Sequence, residues 1–221
     1  MEMGWIGWVA GVVHALSGSD HLAAVAPLVF DRPAAAWRLG LRWGAGHACA
    51  VGLIGGLALL LRHQIDLSMI STAGETVAGL SLVCLGAWGW HRVLRYFVHV
   101  HEHEHDGVRH RHLHLHPRGV EHPHPGEHRH RHVAFGFGLL HGTGGTSHLL
   151  GVLPALALPG AADAVLYVLT FSAGTLIAMM ACSGILGGVA VAAGRRVQAY
   201  RYLLATAATF SLVTGGYWLL A

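Results

Sequence analysis

The sequence predicts an all-α integral membrane protein of six transmembrane helices, arranged as two inverted three-helix repeats. Three observations lead there. Of 221 residues, 53% are hydrophobic and 11% charged, and the mean hydropathy is +0.50, whereas about a quarter of residues are charged in an ordinary soluble domain. Six apolar runs are long enough to cross the hydrocarbon, which takes about 20 residues in a helix. The first half of the chain also resembles the second.

The runs lie at about 4–30, 36–62, 70–98, 133–158, 162–190 and 197–221. Each is expected to be helical, because backbone groups without partners are costly in lipid and alternating ten-residue strands are not seen in the runs. The opening MEMGWIGWVAGVV has neither a basic segment nor an A-x-A site, so it reads as the first span and not as a removable signal. This divides the chain into a first repeat at 1–98, a polar tract at 99–132 and a second repeat at 133–221. Arg32, Arg38 and Arg42 lie at the first connection, Arg92 and Arg95 with five tract arginines at the third, and Arg195, Arg196 and Arg201 at the fifth. Only Arg62 falls on the other side, so the excess of positive charge places the odd connections and the tract in the cytoplasm, with both termini outside.

All 14 basic residues are arginine, and they sit in short connections rather than on a face that could meet phosphate, so the lipid bilayer is an expected partner and nucleic acid is not. Cys49, Cys84 and Cys182 stand singly in apolar runs and offer neither a disulfide framework nor a CxxC pair. No GxSxG or phosphate loop occurs, and no soluble domain could house one, so an enzyme is not expected.

Self-comparison locates the candidate site. The segment from His14 to Pro27 aligns without gaps on that from His141 to Pro154, both reading H-x6-HLxxVxP. Ala45-Gly46-His47 falls on Ala173-Gly174-Thr175, and the segment starting at Glu75 on that starting at Ala205. A repeat of three spans must enter the membrane from opposite sides in its two copies, which brings the two motifs together near the midplane.

A continuous helix would stack His14 and His21, two turns apart, and turn Asp20 elsewhere. Ser17-Gly18-Ser19 suggests an interrupted helix in which all three converge, and Gly142, Gly144 and Gly145 play the same part between His141 and His148. Ionisable side chains are costly in a bilayer and mark functional sites there. His14, Asp20, His21, His141, His148 and His47 are therefore candidate metal ligands, with Glu75 in a proton-handling or outer role. Imidazole with carboxylate suits Ni²⁺, Co²⁺ or Zn²⁺ better than Mg²⁺, Ca²⁺ or Cu(I).

The tract from His99 to His132 holds 13 histidines in 34 residues. They are His99, His101, His103, His105, His110, His112, His114, His116, His122, His124, His128, His130 and His132. Such a composition cannot build a core, so the tract is expected to be disordered without metal and to act as a pool of weak metal ligands.

HALSGSDHLAAVAP, GLLHGTGGTSHLLGVLPALAL and the histidine-rich tract together resemble the NicO and UreH-like (urease accessory) branch of the nickel/cobalt transporter superfamily, with an efflux-type loop. The resemblance implies a bacterial inner-membrane secondary transporter that binds no permanent cofactor and carries Ni²⁺ or Co²⁺, with Zn²⁺ also admitted. It casts His14, Asp20 and His21 as metal-recognition residues. The permeases proper carry H-x4-DH and eight spans, against His14-x5-Asp20-His21 and six here. A second reading is a non-transporting accessory protein that hands nickel to a metallochaperone or to urease or hydrogenase maturation proteins.

Overall fold

The computed structural model describes residues 2–61, 67–105, 108–117, 132–144, 151, 153–194 and 196–220. Helix α1 (Glu2–Ser17) runs into α2 (Ser19–Asp31) through Gly18 alone, with a bend of 68° between them. A 3-10 turn at Pro33–Ala35 leads to α3 (Ala36–Leu61), and α4 (Leu67–Arg95) passes directly into strands β1 (Tyr96–His105) and β2 (Val108–Pro117). Then come α5 (Val133–Gly142), α6 (Ala161–Ala193) and α7 (Val197–Leu220), with a short helical stretch at 153–157.

The apolar part of the chain is thus helical among the described residues, as expected, but the six spans are not all seen. Among the described residues, three helices are long and apolar enough to cross a membrane: Thr72–Arg95, Ala161–Ala193 and Val197–Leu220, with the bent α1–α2 pair a fourth if it counts as one span. The expected second span, α3, has the length at 26 residues but carries Arg38, Arg42 and His47. The expected fourth is cut short where the chain turns at Gly142-Thr143-Gly144, so α5 is 10 residues long, half of what a crossing takes. Outward faces are apolar: Trp5 and Ile185 are each 69% exposed and Leu220 90%, as for a surface that meets lipid rather than water.

Helix α2 lies at the centre. Ala23, Ala24, Val25, Ala26, Leu28, Val29 and Phe30 are all buried, the pattern of a helix apolar on every side. Helix α7 fastens it at two points, where Tyr200 Oη donates to the Phe30 carbonyl and Ser211 Oγ donates to that of Ala23 at 2.6 Å. Around this helix α1 packs on α6, α3 on both α5 and α6, and α4 on α7.

In lipid the hydrophobic effect does not draw helices together, and close approach through small residues takes its place. On the α1–α6 seam a Cβ at Gly11 would overlap the Phe171 carbonyl, and one at Gly174 that of Trp8. On the α3–α5 seam a Cβ at Gly138 would overlap the Trp43 carbonyl, and one at Gly46 that of Phe135. These are the same contacts twice over, because the internal alignment sets Gly11 on Gly138, Trp8 on Phe135, Gly46 on Gly174 and Trp43 on Phe171.

The polar tract departs from its expectation of disorder over Tyr96–Pro117, where β1 and β2 pair antiparallel. The physical reason is the strict alternation of histidine with Val, Leu, Glu or Arg, a period of two that fits a strand. Residues 118–131 lie outside the described residues, and with them His122, His124, His128 and His130.

Candidate metal centre

The centre is made at helix ends. Gly18 breaks the first helix: its N–H still bonds to the His14 carbonyl at 3.1 Å, while its own carbonyl accepts from the N–H of His21, also at 3.1 Å. The turn is so tight that a Cβ on Gly18 would overlap His21 Nδ1 and lie 2.8 Å from Asp20 Oδ1. His14 is thereby left in the last turn of α1, and Asp20 in the first turn of α2 with His21 beside it. The N-terminal end of a helix dipole stabilises the Asp20 carboxylate, and the C-terminal ends of α1 and α5, beside His14 and His141, favour positive charge.

Helix α3 brings His47 and α5 brings His141 against this break. The His14 and His21 rings lie 4.6 Å apart centre to centre, His21 and His47 5.1 Å, and His21 and His141 5.2 Å. Asp20 joins the two motifs: its Oδ2 is 3.1 Å from His141 Nε2 and its Oδ1 3.3 Å from His21 Nδ1. Asp20, His21, His47 and His141 are all buried, and His14 is half-buried.

Two sets among the described residues could each hold an ion, His14–His21–His47 and Asp20–His21–His141, with ligand atoms in each within 4.8 Å of one another. Two ligands on one tetrahedral ion with bonds near 2.1 Å stand about 3.4 Å apart. The two contacts of Asp20 are already at that spacing, and shifts of about an ångström would close the rest. His21 belongs to both sets, so the two positions overlap. Three imidazoles, or two imidazoles and a carboxylate, are donor sets of zinc and first-row transition metals.

Of the expected ligands, His14, Asp20, His21, His47 and His141 are therefore brought together, while His148 lies outside the described residues. Glu75 is half-buried on α4 and belongs to neither set. Thr175, which takes the place of His47 in the second repeat, is buried and donates to the Gly11 carbonyl at 3.1 Å. His132 is exposed at the start of α5. Aromatic walls were missed in the sequence: Trp43 stacks on His47 at 5.3 Å, Phe171 lies 5.3 Å from His14, and Trp218 6.1 Å from His141. Trp43 could have been found from its spacing, four residues before His47 on one helix face.

Comparison with known proteins changes the identity expected from the motifs. The chain is 30% identical over 194 residues to the Chloroplast protein FOR GROWTH AND FERTILITY 1 of Arabidopsis thaliana, and 32% identical over 194 residues to its namesake, number 2. In each case 87% of this chain is covered, and 52% or 49% of the plant protein. The chain spans about half the length of these curated relatives. No family model matches the chain, and no solved structure is similar to it.

These relatives overturn the assignment to the nickel/cobalt transporter superfamily. With it go Ni²⁺ or Co²⁺ carriage, nickel hand-over to urease or hydrogenase maturation, and the bacterial inner membrane. The reason is physical: H-x6-HLxxVxP encodes a broken helix that clusters imidazoles, which sets a donor chemistry and says nothing of cargo or lineage.

Proposed function

We propose that this protein is an integral membrane protein whose buried centre binds a divalent transition-metal ion of the zinc class through His14, Asp20, His21, His47 and His141. The reading is one of binding. The observation that carries it is the convergence of four imidazoles and one carboxylate from four helices on a site walled by Trp43 and Phe171. Burying such groups together in an apolar bundle costs several kcal/mol per charge, and a cation shared among them offsets that cost.

The fold behind it is read as two inverted three-helix repeats. The support is the equivalence of the α1–α6 and α3–α5 seams, in which the first helix of each half packs on the second helix of the other through aligned glycines. The names of the plant relatives, carried to this chain, favour a chloroplast location, and its own long apolar helices support a membrane there.

The test is metal binding by purified full-length protein in detergent, with Co²⁺ as a spectroscopic stand-in for Zn²⁺. A cobalt absorption band of nitrogen-ligated tetrahedral or five-coordinate type is expected in the wild type. His21→Ala removes a ligand from both sets and should remove the buried ion's share of the band, one ion per chain, leaving only that of the histidine tract, whereas Asp20→Asn spares the three-histidine set and should keep a weakened, altered share. Equal bands in the wild type and His21→Ala would sink the proposal.

A further inference from the structure

The hairpin outside the bundle sorts its residues by face. In the β1–β2 register, His99 stands opposite His114, His101 opposite His112 and His103 opposite His110. Residues two apart in a strand share a face, so His105 and His116 join these six, and all eight histidines of the two strands fall on one face. The other face is assigned Val98 opposite Leu115 and Val100 opposite Leu113 near the bundle, then Glu102 opposite Arg111 and Glu104 opposite Arg109 toward the tip. No histidine falls on that second face, and its charged pairs are complementary. A random pool of ligands would show no such division.

We propose that this hairpin is a second, separate metal site, a ribbon on which divalent ions of the zinc class bind to cross-strand histidine pairs. Directly opposed residues have Cβ atoms about 4.5–5.5 Å apart, a span that two imidazoles bridge to reach one ion with bonds near 2.1 Å. Two successive rungs, His99–His114 and His101–His112, supply the four ligands of a tetrahedral site, and eight histidines hold about two such ions. Each ion ties β1 to β2, so binding also draws the strands together, as metal does in small domains that fold around it. A two-stranded hairpin on its own is marginally stable, which makes its pairing responsive to the ion.

The test keeps composition and changes only the face. In the full chain, Arg111→His with His112→Arg, and Leu113→His with His114→Leu, move the two central histidines of β2 to the opposite face while the histidine count stays the same. Slipping β2 by one residue cannot restore the match, because His110 and His116 would then leave the histidine face. Both the parent and this variant carry His21→Ala, so the buried centre does not contribute and the two proposals fail separately. Equilibrium dialysis against Zn²⁺ should show the variant binding at least one ion fewer per chain, or with affinity lowered tenfold or more. Equal number and affinity in the two proteins would overturn the ribbon and leave an unordered pool of ligands in its place.

Discussion

Gly18→Ala tests how the broken helix builds the buried centre. Gly18 stands at φ −74° and ψ 97°, a backbone that alanine adopts without strain, so any effect comes from the added methyl group. That methyl would overlap His21 Nδ1 and come within 2.7 Å of His21 Cε1 and 2.8 Å of Asp20 Oδ1. Carbon contacts settle at about 3.5–4.0 Å, so the His21 ring must move by about an ångström, and it is the ring that both ligand sets share. Disturbing the orientation of a metal ligand typically lowers affinity by about 10- to 100-fold, or about 1.4–2.7 kcal/mol. The assay is a Zn²⁺ titration of purified protein in detergent, with the binding that remains in His21→Ala subtracted as the share of the histidine tract, beside a thermal unfolding curve. Gly52→Ala is the control, since a Cβ there meets nothing within 4 Å; affinity should be unchanged and helix α3 stabilised by about 0.5–1 kcal/mol. Wild-type affinity in Gly18→Ala would refute the claim that the tight turn at Gly18 positions His21.

Gly11→Leu and Gly138→Leu should destabilise the protein alike, by about 1–3 kcal/mol or more from overpacking, because each drives a side chain into a helix backbone at an equivalent seam; unfolding in mixed detergent reads the loss, and a silent variant at either position would break the equivalence. Tyr200→Phe deletes the bond to the Phe30 carbonyl and should cost about 0.5–1.5 kcal/mol in the same assay, with metal affinity unchanged because Tyr200 lies away from both ligand sets. Six spans put the two ends of the chain on one side of the membrane. Single cysteines introduced at each end, in a protein with Cys49, Cys84 and Cys182 changed to serine, should therefore react together with an impermeant maleimide in sealed vesicles. Labelling from opposite sides would rule out the six-span reading.

Trp43, Phe171 and Trp218 show why the walls of the centre were harder to read than its ligands. An intramembrane histidine is conspicuous because its cost in lipid is high, and the duplication of His14 and His21 in His141 and His148 made the pattern more so. An aromatic residue in an apolar run carries no such cost, so only the packing of α3, α6 and α7 reveals which ones face the ligands. Glu75 shows the converse: it is conspicuous by charge, yet α4 is turned so that it joins neither ligand set. The alternation of histidine in the polar tract was also present to be read, but its composition suggested disorder, and only the β1–β2 register shows that the histidines share a face.

The sequence by itself determined the helical class and the apolar character of its helices, and it singled out the histidines and the aspartate that the structure brings together. Hydropathy, the cost of unpaired backbone in lipid and the type of ionisable side chain are all local properties of the chain. Tertiary structure alone decided that α5 stops after 10 residues, that α2 is the buried centre of the bundle, and that Asp20 of the first motif meets His141 of the second. Those outcomes depend on which backbones approach closely enough for glycine contacts and helix-end hydrogen bonds to form, and residues 121 positions apart meet only once that packing is complete.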